Sequence, residues 1–177
     1  MQDGQIVLSG SRVYVLIPSN PGQLLAGTSA GVSTEPLPAA CDGQDLPLAL
    51  AASTPEHLVL VCSGNDEVEP PGSVLVMLSG DGGRCWRETP ATPPIAHGIT
   101  SLATASGDTF VGTDDAGVWV SRNNGGSWSQ DLWPSGSPIY IGFEDASHGL
   151  VLDSAGELYS TSDAGDTWTS SQIPAAS

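Results

Sequence analysis

One short phrase occurs three times in this chain of 177 residues, at 79–86, 121–128 and 161–168. Each copy ends in a tryptophan, and Trp86, Trp128 and Trp168 are separated by 42 and then 40 residues. A fixed period of this size indicates repeated supersecondary units that bury their apolar faces by stacking on their neighbours. This repeat constrains the fold more than any other feature of the sequence.

The segments between the copies are predicted to be short β-strands. They are rich in β-forming residues, and Gly, Asp and Asn separate them. No stretch carries an apolar stripe at helical spacing for three turns. Four strands, named A to D, fit within each period, so we predict an all-β chain with four strands per repeat.

The repeated phrase has the form Ser-x-Asp-x-Gly-x-Thr-Trp, and its parts have separate mechanical roles. The acidic side chain accepts hydrogen bonds from backbone N–H groups of its own turn, and the hydroxyl adds another bond. The glycine supplies a positive φ, and the tryptophan buries a large ring between sheets. The predicted structural residues are Ser79, Asp81, Gly83, Trp86, Ser121, Asn123, Gly125, Trp128, Thr161, Asp163, Gly165, Thr167 and Trp168.

This phrase resembles the Asp-box, also called the BNR repeat, of sialidases and many other β-propeller proteins. The resemblance covers three good copies and a decayed copy at 27–34, where Gly31 and Ser33 remain without the Asp and the Trp. It implies an all-β propeller of four-stranded antiparallel blades, with a box at each C–D hairpin. About four blades are expected in one domain or propeller fragment over 1–177, near 5–45, 46–97, 98–136 and 137–177.

The resemblance does not fix a function, because Asp-boxes occur in sialidases, xyloglucan hydrolases, sortilin-type receptors and photosystem assembly factors. A sialidase needs three arginines, a tyrosine–glutamate pair and an aspartic acid. Here Arg84 and Arg122 lie within boxes, Arg87 follows a box, and Arg12 alone remains. Enzyme activity therefore stays open, and a non-catalytic module is favoured.

The remaining catalytic and metal patterns are weak. His57, His97 and His148 lie at strand or loop edges, and no Gly-x-Ser-x-Gly nucleophile motif is present. The sequence contains no Cys-x-x-Cys spacing, which would indicate a zinc site. Asp66, Glu67 and Glu69 could hold Ca²⁺, but no EF-type loop surrounds them, and solvated charge is the favoured interpretation. We expect no cofactor.

Charge excludes some partners. The chain has 20 acidic residues, four arginines and no lysine, giving a net charge of −16. Nucleic acid and anionic membranes bind clustered cations, so neither is expected as a partner.

We expect an acidic binding face on the side opposite the boxes, formed by B–C loops and D–A links. A protein or glycan partner, with a basic surface or a divalent cation among the options, would suit such a face. The expected acidic residues are Asp42, Asp45, Asp66, Glu67, Glu69, Asp114, Asp115 and Asp153. Asp114, Asp115 and Asp153 occupy equivalent B–C turns, which is typical of a repeated turn rather than of an acid–base pair.

The three cysteines predict one disulfide and one free thiol in an exported protein, or three thiols in a cytosolic one. Cys41 and Cys62 are expected at the same end of the second blade, and we predict that they are bonded. Cys85 occupies the Thr position of its box and is expected to be a buried free thiol. Cys62–Cys85 and Cys41–Cys85 are the alternatives.

The sequence thus predicts a binding or scaffold module of an extracytoplasmic bacterial protein, secreted or at the cell surface. The alternative is a fragment or remnant of a sialidase-like glycoside hydrolase. The N-terminal residues 1–4 have neither a charged segment nor an apolar one typical of a signal peptide, which suggests an internal start. The ring could close with four blades, belong to a larger ring, or be completed by a second copy in a homodimer.

Overall fold

The computed structural model describes residues 4–18, 21–41, 47–63, 74–95 and 99–173. These residues form four antiparallel sheets of four strands each, and consecutive strands are neighbours within every sheet. The all-β fold of four propeller blades is therefore confirmed. Within the described ranges the helical element is a short 3-10 turn, Ala39–Cys41, and no helix is long and apolar enough to cross a membrane.

The strand bounds follow the predicted order A to D in each blade. Blade 1 contains β1 (Gln5–Ser9), β2 (Arg12–Ile17), β3 (Gln23–Thr28) and β4 (Gly31–Glu35). Blade 2 contains β5 (Pro47–Ala52), β6 (Leu58–Ser63), β7 (Val74–Ser79) and β8 (Arg87–Glu88). Blade 3 contains β9 (Ser101–Thr104), β10 (Phe110–Asp114), β11 (Gly117–Ser121) and β12 (Ser129–Leu132). Blade 4 contains β13 (Pro138–Phe143), β14 (Gly149–Asp153), β15 (Glu157–Thr161) and β16 (Thr169–Gln172).

The blades are arranged around their first strands. β1 contacts β5, β5 contacts β9, and β9 contacts β13, so the A strands form the inner wall of the arrangement. Among the described strands, blades 1 and 4 share no comparable contact. Packing therefore runs from each blade to the next along the chain.

Alternate side chains of each strand fill the space between neighbouring blades, as a two-residue side-chain period requires. Three apolar clusters result, one at each blade junction. The first joins blades 1 and 2 around Tyr14, Leu24 and Leu60, all of them almost fully buried. The second joins blades 2 and 3 around Val76 and Phe110, and the third joins blades 3 and 4 around Val111, Val151 and Tyr159.

The first blade lacks, at its C–D connection, the loop that the repeated phrase forms in the other blades and that is called a box below. β3 and β4 are joined by a tight hairpin in which Thr28 pairs with Gly31, so two residues, Ser29 and Ala30, form the connection. In the other blades the corresponding connection has seven residues, which are the last seven of the repeated phrase. The decayed copy at 27–34 has therefore become an ordinary hairpin, because it lacks the acceptor that orders the longer loop.

A disulfide joins Cys41 and Cys62, as the sequence predicts, with Cα atoms 5.5 Å apart. It ties the link between blades 1 and 2 to β6, and both cysteines belong to the apolar cluster at that junction. Cys85 is a free cysteine, but it is exposed, and the prediction of a buried thiol is wrong. The reason is that the Thr position of a box points toward the acceptor of the loop and away from the blade junction.

Exposure does not make Cys85 an ordinary surface thiol. A hydrogen bond to the Asp81 carboxylate, together with the charge of that carboxylate, raises the pKa of the Cys85 thiol. Because the thiolate is the reactive form of cysteine, this contact lowers its reactivity.

Candidate functional site

The C–D loop of blade 4 closes through the side chains that the repeated phrase supplies. Asp163 Oδ1 accepts hydrogen bonds from Thr161 Oγ1 at 2.8 Å and from the Thr167 backbone N–H at 2.9 Å. Thr167 Oγ1 donates to Asp163 Oδ2 at 2.6 Å, and the Gly165 N–H donates to Thr161 Oγ1 at 2.9 Å. The carboxylate is fully engaged within its own loop, which makes it a structural group.

The same bonds recur in blade 2. Ser79 Oγ donates to Asp81 Oδ1 at 2.9 Å, and the Gly83 N–H donates to Ser79 Oγ at 2.9 Å. The backbone N–H groups of Arg84 and Cys85 complete the loop by donating to Asp81 Oδ1 at 3.1 and 2.9 Å.

In blade 3 an amide replaces the carboxylate without opening the loop. Asn123 Oδ1 accepts from Ser121 Oγ at 3.2 Å and from the Ser127 N–H at 2.9 Å. Its Nδ2 group donates to Ser127 Oγ at 3.0 Å, where the carboxylate of blade 4 accepts instead. A single accepting oxygen, Asn123 Oδ1, is therefore sufficient to order this loop.

Two consecutive positions in each box have a positive φ, although the sequence predicts only the second. The second is the glycine, Gly83, Gly125 or Gly165. The first is Gly82, Asn124 or Ala164, and its N–H donates to a carbonyl of the A–B turn in the same blade. The three acceptors are the carbonyl oxygens of Glu56, Asp108 and Ser147, at 2.9, 3.0 and 2.9 Å. Each box therefore fastens its C–D loop to the A–B turn beside it.

The box tryptophans lie between blades. The indole Nε1 of Trp86 donates to Pro36 O at 2.9 Å, and that of Trp128 donates to Ala91 O at 3.1 Å. Both acceptors belong to the chain segment that follows the preceding blade. The Trp168 ring lies against the cluster at the junction of blades 3 and 4, and its Nε1 donates to Gly165 O at 3.1 Å.

These loops predict how stability depends on pH. Hydrogen bonds from the Thr167 side chain, the Thr167 backbone and Thr161 lower the pKa of Asp163 to about 2. The pKa of an aspartate in an unfolded chain is about 3.9, so this carboxylate stabilises the fold fully above about pH 4. The contribution is lost as the pH falls from about 4 toward 2.

We expect Asp163→Asn to remove that part of the pH dependence, because the amide keeps the acceptor oxygen, as Asn123 does, but cannot titrate. Urea unfolding of both proteins between pH 7 and pH 2.5 measures it: the stability difference at neutral pH should shrink on acidification. Thr167→Val removes one donor to the carboxylate. In this variant the loss of stability on acidification should therefore be smaller than in the parent. A difference between parent and variant that is constant over this range would contradict the assignment.

The A–B turns of all four blades surround one opening at the box end of the A strands. A cavity of about 510 Å³ lies there, bounded by segments 8–10, 52–54, 104–107 and 143–146. Because each of the last three blades fastens its A–B turn to a box, the boxes hold most of the rim of this opening.

Two of the three histidines lie on equivalent A–B turns. The His57 N–H donates to Thr54 Oγ1 at 3.1 Å, and the His148 N–H donates to Asp145 Oδ1 at 2.7 Å. His148 Nδ1 also lies 2.9 Å from Asp145 Oδ2, and backbone and side-chain bonds from His148 lower the pKa of Asp145 to about 2. Both histidines are held by their own turns, while His97 lies outside the described residues.

Most of the predicted acidic face lies outside the described residues. Asp42, Asp45, Asp66, Glu67 and Glu69 fall in the undescribed ranges 42–46 and 64–73. Asp115 is described and is exposed at the tip of the B–C turn of blade 3. No group of three or more His, Cys, Asp or Glu side chains within the described ranges could hold a metal ion.

Asp114 and Asp153 are buried, in contrast to Asp115. Asp114 Oδ1 accepts from the N–H groups of Ala116 and Gly117 at 3.0 and 2.9 Å. Asp153 Oδ1 accepts from the N–H groups of Ala155 and Glu157 at 3.0 and 2.8 Å. Both carboxylates are thus acceptors within B–C turns.

Asp153 also orders the link between blades 3 and 4. Its Oδ2 accepts from Ser135 Oγ at 2.9 Å and from the Gly136 N–H at 2.8 Å. Desolvation opposes ionisation of Asp153, but the hydrogen bonds from Glu157, Gly136, Ser135 and Ala155 outweigh it and lower the pKa. The carboxylate is therefore charged, buried and committed to holding two chain segments together.

An exposed tryptophan lies on the same side of the molecule. Trp133 directly follows β12, whose last residue, Leu132, pairs with Val118 next to the 114–117 turn. Its side chain is 68% exposed, unlike the box tryptophans, which contact their neighbours. The sequence alone could have singled out this residue. Trp133 lies five residues after Trp128 and outside the repeated phrase, so the repeat does not account for a tryptophan at this position.

The four arginines are all described, and they lie in three separate places. Arg12 and Arg84 line one cavity together with Glu35, and Arg87 lines another. Arg122 pairs with Asp131 and with Asp166, each at 2.7 Å, and so joins the boxes of blades 3 and 4. This distribution does not form the three-arginine site that a sialidase uses.

Neither a protein-family model nor a curated protein matches the chain. Among solved structures, it is similar to the GH74 xyloglucanase of Xanthomonas campestris, with a TM-score of 0.66 and 20% identity over 93% of this chain. It is similar to YCF48 bound to D1 peptide, with a TM-score of 0.54 and 11% identity over 93% of this chain. It is also similar to a gluconolactonase of Xanthomonas campestris, with a TM-score of 0.53 and 14% identity over 93% of this chain.

The chain spans only part of these proteins: 29% of the xyloglucanase, 66% of YCF48 and 55% of the gluconolactonase. At these identities the likeness concerns the fold alone. With the four blades described above, it establishes the chain as a β-propeller module.

Proposed function

We propose that this chain is a non-catalytic binding module of an extracytoplasmic bacterial protein, and that it recognises a protein or glycan through the face opposite the boxes. The observation that carries the proposal is the exposed Trp133 beside the turn that bears the exposed Asp115. An exposed aromatic ring next to a carboxylate suits a cationic side chain, and it also suits the apolar face of a sugar ring.

The buried carboxylates support binding over catalysis at this face. Asp114 and Asp153 are buried and accept hydrogen bonds from their own turns, which supports a structural role for both. The hydrogen bonds to Asp153 lower its pKa, whereas a general acid needs a raised one.

The net charge of −16 favours a basic protein segment as the partner. We therefore expect an oligoarginine peptide to bind more tightly than a xyloglucan oligosaccharide in calorimetric titrations. Trp133→Ala should weaken peptide binding about tenfold or more, as loss of a central aromatic contact does. Asp115→Asn should weaken it several-fold and reduce its dependence on salt.

Asp108→Asn provides the matched control, because it removes one exposed carboxylate from the box end and leaves the opposite face unchanged. Binding that is lost equally in Asp108→Asn and Asp115→Asn would indicate only a general effect of charge. Binding that is unaffected by Trp133→Ala would contradict the proposed face.

A second candidate follows from the likeness to the xyloglucanase, of which this chain spans 29%. In this alternative the chain is a fragment or remnant of a glycoside hydrolase. Incubation with xyloglucan followed by a reducing-sugar assay distinguishes the two. Release of oligosaccharides by the 177-residue chain would replace the binding proposal; tight oligosaccharide binding without release would identify a glycan-binding module.

The extracytoplasmic location is proposed from the disulfide, since disulfides persist in oxidising compartments. Titration of free thiols in the denatured, unreduced protein purified from its native compartment should find one thiol. Finding three would contradict this location.

A further inference from the structure

Among the described residues, two sheet faces of the four blades have no neighbour. The rear face of blade 1, which points away from blade 2, carries Ile6, Leu8, Val13, Val15, Leu25 and Val32. Cross-strand pairing places these residues on one side: Ile6 pairs with Val15, which pairs with Leu25, and Leu8 pairs with Val13. Ile6, Leu8 and Val32 are 68%, 74% and 73% exposed.

The front face of blade 4, which points away from blade 3, carries Tyr140, Leu150, Leu152 and Leu158. Tyr140 pairs with Leu152, which pairs with Leu158, so these three share one side of the sheet. Leu150 lies two residues before Leu152 on the same side, and Tyr140 and Leu150 are 69% and 50% exposed.

The paired positions of both faces carry no charge, although the chain has 20 acidic and four basic residues. Glu144 and His148 lie at the edge of the front face. Apart from Gln23, every paired position of the rear face and of the front face is apolar, glycine, serine or threonine. Exposed apolar sheet faces of this kind are typical of surfaces that are covered in the functional protein.

The two faces also correspond to the two sides of each internal junction. At every junction the front face of one blade packs against the rear face of the next, and the front face of blade 4 and the rear face of blade 1 are the pair left over. A contact between them would continue the packing already present three times in the chain. Because the two faces differ, such a contact between copies is heterologous, and it closes only if the rotation returns to the start.

We infer that a second copy of this chain covers both faces. Blade 4 of each protomer packs on blade 1 of its partner, so that two head-to-tail contacts related by a two-fold axis close a ring of eight blades. The ring leaves no exposed sheet face, and it completes the wall around the opening that the A–B turns border. The absence of charge at the paired positions allows two strongly acidic chains to meet at these faces, while their negative loops remain in solvent.

The test is the mass of the 177-residue chain in solution, measured by light scattering over a range of concentrations. We expect twice the 18.0 kDa chain mass, independent of concentration in the micromolar range. Leu8→Lys and Leu150→Glu should each weaken dimerisation about a hundredfold or more, because each places an unpaired charge in an apolar contact. Both side chains are exposed in the single chain, so circular dichroism should show intact folding.

The matched controls are Ala155→Lys and Ala155→Glu, which introduce the same charges at an exposed turn position away from both faces. These variants should remain dimeric. The decisive result comes from mixing Leu8→Lys with Leu150→Glu. A head-to-tail dimer of the two variants keeps one unaltered contact and pairs the new lysine with the new glutamate at the other, so mixing should restore the dimer.

Three outcomes would overturn the inference. A monomer at all concentrations would show that no second copy binds. A dimer that is weakened by only one of Leu8→Lys and Leu150→Glu would show that two rear faces, or two front faces, meet each other. Mass that grows without limit as concentration rises would show that the head-to-tail contact does not close. None of these outcomes affects the proposed ligand face, whose residues lie on loops.

Discussion

Replacing Asp153 with alanine is expected to lower the free energy of unfolding by about 3 kcal/mol, the range for removing a charged acceptor that serves several buried donors. The side chain is 1% exposed. Its loss leaves the N–H groups of Gly136, Ala155 and Glu157 without their acceptor. The substitution therefore disorders both the B–C turn of blade 4 and the link from blade 3.

Urea unfolding of a matched series measures this effect. Asp114→Ala removes an equivalent turn carboxylate with two accepted bonds rather than four, so the loss should be smaller, about 1–2 kcal/mol. Asp115→Ala removes an exposed carboxylate on the adjacent position and should change stability by less than about 0.5 kcal/mol. Equal losses for Asp153→Ala and Asp115→Ala would refute the structural role assigned to the buried group.

Removing the Cys41–Cys62 disulfide in a Cys41→Ala, Cys62→Ala variant is expected to cost about 3 kcal/mol, from the increase in unfolded-chain entropy for a separation of 21 residues. Alanine is the appropriate replacement because both cysteines lie in an apolar cluster, where a serine hydroxyl would add a separate penalty. Thermal unfolding with and without a reducing agent should give the same midpoint for the variant and different midpoints for the parent.

Cys85→Ser is the control for the disulfide variant. It removes the free thiol but keeps a side chain that donates to Asp81, and blade 3 has serine at the equivalent position. Its stability should equal that of the parent, and reduction should still lower it. A parent protein that is indifferent to reduction would argue against a stabilising disulfide.

The repeat in the sequence was sufficient to predict the blades, because box residues act locally. The bonds of Asp163 reach only from Thr161 to Thr167, so spacing along the chain determines them. The disulfide was predictable for a related reason: strand order places the end of β6 beside the link before β5. The hairpin of blade 1 was harder to predict, since a decayed phrase does not say which connection replaces it.

The candidate site was less predictable, because burial cannot be obtained from a turn motif alone. Asp114, Asp115 and Asp153 have similar sequence surroundings, yet the first and third are buried acceptors and the second is exposed. Asp153 is buried because the link from blade 3 covers it and brings Ser135 and Gly136 within hydrogen-bonding distance. Cys85 is a similar case, in which the side-chain direction within the loop determined exposure.

The division of bonding between and within blades affects how such a protein can change in evolution. The bonds of the box carboxylate or amide, and the bond from each box to its A–B turn, stay inside a single blade. Contacts between blades are mainly apolar, with the Arg122–Asp166 ion pair and the Trp86 and Trp128 indole bonds as polar exceptions. Tandem duplication or deletion of a stretch of about forty residues therefore preserves the polar bonds within each blade and mainly alters the number of junctions. Ring size can consequently vary in whole-blade steps without new polar chemistry having to arise.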